Sequence, residues 1–214
     1  MDPKAQLIIT FNHIILSQGF TNFSMVELAK KAGISRAKLY LYFKNKDEIV
    51  TSVVDRRFQF LEQHAVPEQP TPTNLVATIL DALLLMGSST DRFESELKQG
   101  YPQLYRRFIH GYQTYFDTLK HFYQRAQAEN LIVTNVTTDY LLFQSQLNVR
   151  GILQAVATGQ IGIETGEQYL KDGFKFQLQA LLGHPDVQLP PDLVKFEQTI
   201  IHEYYETYSL VAPQ

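Results

Sequence analysis

Between Thr21 and Glu48 the chain reads TNFSMVELAKKAGISRAKLYLYFKNKDE, and few folds accommodate residues in that order. Ser24 stands just before Met25, and Glu27 follows three positions on. At that spacing a hydroxyl and a carboxylate can each satisfy the other residue's backbone N–H, which starts a helix. Ala29 is small, as needed where two short helices cross closely. Gly33 supplies the left-handed conformation that ends this helix and turns the chain, with Ile34 filling the corner. Ser35 then caps a second helix, whose Leu39 and Phe43 face inward while Arg36, Lys38, Tyr40 and Tyr42 can face out. Asn45 and Glu48 repeat the capping-box spacing ahead of a further helix. Two short helices joined by a tight glycine turn, the second basic at its start, predict a helix-turn-helix.

Such a helix is narrow enough to enter the major groove, where its first residues reach base edges. Arg36 can pair bidentately with guanine, and Lys38 can offer a point charge to guanine or to phosphate. Ala37 leaves room for close approach and can touch a thymine methyl. Ser24 and Lys46, at the starts of flanking helices, are placed for phosphate. Tyr40 and Tyr42 can donate hydroxyls to phosphate oxygens, and Ser35 at the head of the helix completes the candidate DNA-binding set. The plainer alternative is a generic bundle with capped helices and amphipathic tyrosines. Charge distribution favours the first reading. Residues 1–60 hold nine Lys/Arg against five Asp/Glu, whereas the rest of the chain holds ten against seventeen, within a net charge of −3. A basic head on an acidic body suits a polyanionic partner.

Apolar spacing is helical nearly throughout, so an all-α fold of about ten helices is expected. The first four helices are read at 3–18, 24–31, 35–43 and 45–63. Three prolines between Val66 and Pro72 mark a connector. Helices follow near 73–87, 90–98, 101–129, 138–158, 164–182 and 191–209. Function divides as a DNA-binding domain at 1–46 and a ligand-binding and dimerisation domain at 47–214.

The runs Phe23–Ala29, Ala32–Ser35, Leu39–Phe43 and Lys44–Ile49 together resemble the DNA-binding head of tetracycline-repressor-like (TetR family) regulators. Tyr40, Tyr42 and Phe43 match the family's aromatic pattern, and Lys46 matches its lysine at the start of the fourth helix. Beyond residue 60 the resemblance is one of length, helix count and helix order. It implies a homodimer, a double-stranded DNA operator with two-fold symmetry, and a C-terminal domain that takes a small-molecule effector. In that scheme the effector moves the fourth helix and changes the separation of the two recognition helices, set by major grooves about 34–36 Å apart. The function so implied is a ligand-responsive transcriptional regulator, a repressor in most members, released by a small hydrophobic or amphipathic molecule. An alternative is a small-molecule or lipid carrier on the same fold that has lost DNA binding. The outward cations Arg36, Lys38 and Lys46 argue against it.

Aromatic residues crowd 101–123 on two adjacent helix faces, more than one packing stripe requires. Candidate ligand-lining residues are Leu83, Met86, Phe93, Leu97, Phe108, Tyr112, Phe116, Phe143, Leu147 and Arg150. The same stripe can equally be core, and Arg150 can equally lie at a surface or dimer interface. Leu142, Val149, Leu153 and Val156 with Tyr169, Phe174, Leu178 and Leu181 form apolar faces on two late helices. Resemblance makes these faces the dimer interface, and intramolecular core is the alternative.

The chain contains no cysteine, which excludes disulfides, zinc–thiolate sites and thiol catalysis. Its six histidines show no HxxxH or HxH spacing, and no G-x-S-x-G, Walker A or G-x-G-x-x-G motif appears. No enzyme, catalytic residue, metal or cofactor is therefore expected. The start lacks a basic region followed by an apolar one, and runs such as Leu83–Met86 fall far short of the ~20 residues of a membrane helix. A cytoplasmic protein without a membrane partner is expected.

Overall fold

The computed structural model describes residues 2–183 and positions 191, 194, 195, 198 and 202. Among the described residues there are nine helices and no strand: α1 Pro3–Gln18, α2 Met25–Lys31, α3 Arg36–Tyr42, α4 Lys46–Gln63, α5 Pro72–Gly87, α6 Asp91–Gly100, α7 Pro102–Ala128, α8 Thr138–Ala157 and α9 Ile163–Leu182. The all-α expectation holds, and helix ends fall within about two residues of those read from sequence, the usual uncertainty of helix ends. A tenth helix near 191–209 falls almost entirely outside the described residues. No single helix among them is long and apolar enough to cross a membrane.

Two compact units emerge. The first joins the chain up to Gln63 with Ser89–Tyr112, and the second joins His64–Ser88 with the described residues from Gln113 onward. The head thus packs as a larger body than residues 1–46, because it recruits α6 and the start of α7. Its core runs from Phe11, Ile14 and Ile15 of α1 through Leu28, Leu39 and Phe43 to Ile49 and Val53 of α4, then Phe93 and Phe108. Edge-to-face ring pairs link Phe11 with Phe43, Phe20 with Phe93, and Phe93 with Phe108 at centroid distances of 5.7, 6.3 and 5.6 Å. Arg57 of α4 lies inside this core at 4% exposure, its guanidinium 4.6 Å from the Phe93 ring. Its Nη1 donates to the Val53 carbonyl at 3.0 Å. Burial lowers the Arg57 pKa, while Tyr112 acts in the opposite sense.

In the second unit α5, α8 and α9 pack mutually. Val149, Leu153 and Val156 of α8 meet Leu170, Phe174, Leu178 and Leu181 of α9 as buried core, together with Leu75, Ile79 and Leu83 of α5. Gly166 permits a close helix approach, since a Cβ there would overlap Val156. The prolines after Val66 do keep the connector non-helical, except that Pro72 is the first residue of α5. There Thr71 and Asn74 form a reciprocal cap.

Asp81 sits in this apolar packing with His64 Nδ1 2.9 Å from its Oδ1. Burial pushes its carboxyl up to about 6, against which His64 pulls downward. A carboxyl with a raised folded pKa holds its proton more tightly in the native state. Its favourable contribution is therefore present at acid pH and is lost as pH rises through about 6. Asp81→Asn, which stays neutral, should gain thermal stability relative to the parent between about pH 4 and about pH 7. Melting curves of both proteins across that window check this; parallel curves would contradict it.

Candidate nucleic-acid interface

The outer face of the first unit is set by caps at both ends of α2 and at the start of α3. Ser24 Oγ accepts the Glu27 N–H at 3.3 Å, and Glu27 Oε2 accepts the Ser24 N–H at 2.7 Å. The Ser24 N–H and hydroxyl hold the Glu27 carboxyl below its ordinary pKa. Helix α2 closes with Gly33 at φ +67°. The Gly33 N–H reaches the Lys30 carbonyl and the Ile34 N–H reaches the Ala29 carbonyl, the paired bonds of a Schellman motif. Ser35 Oγ then accepts the Lys38 N–H at 3.1 Å. Both capping residues and the glycine turn therefore lie where the sequence places them.

Leu39 and Phe43 anchor α3 in the core, and that orientation turns Ser35, Arg36, Ala37, Lys38 and Tyr40 outward. The Arg36 guanidinium lies 5.4 Å from the Tyr40 ring, one turn away. Tyr42 is half-buried against the core. Leu41, unremarked in the sequence, is 79% exposed on the same helix.

One expected contact is only half formed, and two others join residues distant in the sequence. The expected Asn45–Glu48 box is only half formed: the Glu48 N–H donates to Asn45 Oδ1 at 2.9 Å. The Glu48 carboxylate instead accepts the Lys44 N–H at 2.8 Å and pairs with Lys4 Nζ at 3.1 Å, and the Lys44 N–H holds its pKa down. Lys46, expected at phosphate, is half-buried and donates to the carbonyls of Phe20, Thr21 and Phe23 at 3.3, 3.1 and 3.1 Å. On the other edge of the same turn, Glu96 Oε2 of α6 accepts the N–H groups of Phe20 and Thr21 at 2.6 and 2.8 Å. Glu96 lies 75 residues from Thr21, beyond any local signal.

The expected ligand-lining residues are divided between the two units. Phe93, Leu97 and Phe108 are closed into the core of the first unit, with Tyr112 packed against it. Leu83 and Met86 are buried in the second unit, where Phe116 and Arg150 are partly exposed. Phe143 and Leu147 are 58% and 56% exposed and line no interior. Among the residues expected at a dimer interface, Val149, Leu153, Val156, Phe174, Leu178 and Leu181 are buried within the chain; Leu142 is half-buried and Tyr169 exposed. The outward apolar residues of α8 and α9 are Tyr140, Phe143, Leu147, Tyr169 and Phe176. A groove of about 650 Å³ runs between them, lined by Asn148, Ile152, Tyr169, Gly173 and Phe176 among others. Both helices are apolar on more than one face, and most of the stripe read from the sequence is buried within the chain. Among the described residues no group of three or more His, Asp or Glu is placed to hold a metal.

Comparison with known proteins agrees with this geometry. The family described as "Bacterial regulatory proteins, tetR family" matches residues 13–53, which run from α1 through the helix-turn-helix into α4. An uncharacterized HTH-type transcriptional regulator from Haemophilus influenzae is 35% identical over 57 residues, 27% of this chain and 30% of that protein. The fatty acid metabolism regulator protein of Bacillus subtilis is 30% identical over 82 residues, 36% of this chain and 42% of that protein. The match thus covers less than half the length of either relative. The fold of a TetR-family transcriptional regulator from Marinobacter aquaeolei VT8 is shared over 95% of this chain and 99% of that one, with a TM-score of 0.59 at 14% identity. Residues 13–53 are thus similar to the tetR family of bacterial regulatory proteins, and the chain shares along nearly its whole length the fold of a solved structure described as a TetR-family regulator.

Proposed function

We propose that the protein is a DNA-binding transcriptional regulator that acts as a homodimer on a two-fold symmetric operator. It is released by a small hydrophobic or amphipathic effector in the cytoplasm. Contact with DNA belongs to residues 1–46, and effector binding and dimerisation to 47–214. The observation that carries the reading is the outward face of α3, where Arg36, Ala37, Lys38 and Tyr40 are all exposed on a helix capped by Ser35. Exposed side chains on the first turns of such a helix reach base edges and phosphates. Ser24 and Tyr42 flank it with hydroxyls suited to the backbone. A carrier that had lost DNA binding would have no use for this cationic face.

Dimerisation is supported by the outward aromatic and leucine side chains of α8 and α9. Tyr140, Phe143 and Leu147 recur at helical spacing on one, Tyr169 and Phe176 on the other, and together they form an exposed apolar surface of the kind that marks an interface. The interface is therefore assigned to these residues rather than to the buried stripe opposite. A regulator that uses this surface sediments as a dimer, and Phe143→Glu combined with Phe176→Glu should yield a folded monomer. A variant of unchanged mass in sedimentation equilibrium would remove the surface from consideration.

The DNA reading is tested by binding to the promoter beside the protein's own gene. Arg36→Ala should cost about 1–3 kcal/mol on the footprinted site and relax base preference at the position it reads. If the dimer neutralises about eight phosphates, log K against log salt should slope near −7. Salt-independent binding, or Arg36→Ala with wild-type affinity and preference, would defeat the assignment.

A further inference from the structure

We propose that Glu96 and Lys46 are positioning residues that grip the turn Gly19–Phe23 from its two edges and so set the pose of α2 and α3 for DNA, neither of them touching nucleic acid. The inference rests on the DNA-binding reading above and adds to it the device that aims the recognition helix.

Within the turn between α1 and α2 the Phe23 N–H reaches the Phe20 carbonyl at 3.2 Å, and side chains from distant helices meet further groups of its backbone. Glu96 Oε2 takes the N–H groups of Phe20 and Thr21, and Lys46 Nζ gives hydrogens to the carbonyls of Phe20, Thr21 and Phe23. All five bonds have one charged partner, which makes them stronger than neutral ones. A lysine ammonium carries three hydrogens, and here three carbonyls receive them. Gly19 fits the arrangement twice over. Its φ is +77°, and a Cβ at that position would overlap the Glu96 carboxylate. Arg92, one turn before Glu96, steadies the other carboxylate oxygen at 3.5 Å. At the opposite end of α6, Thr90 Oγ1 donates to the Leu16 carbonyl at 3.0 Å, so α6 holds the end of α1 as well. Phe20 in the turn is buried beside the rings of Phe93 and Tyr101. The chain leaves this turn directly into Ser24, the cap of α2. A shift of α6 or of the start of α4 is therefore carried to the helix-turn-helix through its backbone.

Full-length protein, Glu96→Ala, Glu96→Gln and Lys46→Met are compared on two duplexes: one selected by the wild type from a random library, and a scrambled control. Glu96→Ala and Lys46→Met should each weaken the selected duplex about tenfold while the control stays within about twofold. The slope of log K against log salt should not change. Glu96→Gln, which can still offer one oxygen to both N–H groups, should recover most of the loss. General destabilisation would lower both duplexes alike. A slope reduced by about 1.8 for the Lys46→Met dimer would make Lys46 a phosphate ligand and overturn its assignment. Amide hydrogen exchange supplies a readout that needs no DNA. The Phe20 and Thr21 amides should exchange faster in Glu96→Ala while those of Ile15 and Val53 do not, and unchanged exchange would overturn the grip. A wild type that binds neither duplex would defeat the DNA reading, with the exchange result still deciding whether the turn is held as described.

Discussion

Helices of seven residues do not persist by themselves in water, because the nucleating turn fixes several dihedrals for each hydrogen bond gained. Both α2 and α3 are of that length. Everything else in the first unit supplies what these two lack. Ser24 and Ser35 satisfy N–H groups at their starts, the Gly33 turn satisfies carbonyls between them, and Leu28, Leu39 and Phe43 give each a buried anchor. The anchors meet α1 and α4, which are long enough to carry a core. Exposure of Arg36 and Lys38 follows from this: with Leu39 and Phe43 fixed inward, the helical period leaves them no other direction.

Arg57 shows how that core is tied together. A guanidinium at 4% exposure is costly to desolvate, and its lowered pKa reflects that cost. The rings of Phe93 and Phe108 present their faces to it at 4.6 and 5.9 Å, offsetting part of the penalty with their quadrupoles. The same two rings pair edge to face. One cation thus links α4, α6 and the start of α7 in a geometry that an aliphatic side chain of similar volume would not specify. Phe93 also packs on Phe20 of the α1–α2 turn, so the ring network runs from Arg57 to the turn that α6 grips.

Local chemistry was legible in the chain and distant chemistry was not. The caps at Ser24 and Ser35, the left-handed Gly33 and the nine helix spans each depend on residues within four or five positions, and the structure places them as read. The contacts of Lys46 were not legible because its acceptors lie 23 to 26 residues away, and nothing in the local pattern distinguishes a lysine aimed at solvent from one aimed at a turn. Glu96 was missed for the same reason. On α8 Val149, Leu153 and Val156 make one apolar stripe and Tyr140, Phe143 and Leu147 another. Periodicity detects both stripes, and only the positions of α5 and α9 decide which is core.

Charge in the head acquires meaning from where the acids point. Glu27 is turned onto the Ser24 N–H, Glu48 onto the Lys44 N–H, and Glu96 onto the N–H groups of Phe20 and Thr21. Asp47 accepts from the Tyr101 hydroxyl at 2.6 Å, and burial together with that bond raises the tyrosine's pKa. These carboxylates act as caps and ties for the backbone, with their fields directed at fixed dipoles close by. The cations Lys30, Arg36, Lys38 and Lys44 are exposed. A chain of net charge −3 can in this way present a locally positive face, because at the spacing of a Debye length, about 8–10 Å, a polyanion senses the nearby arrangement and not the total. The same carboxylates that build the scaffold of α2, α3 and α4 are thereby kept from cancelling the charge that the scaffold displays.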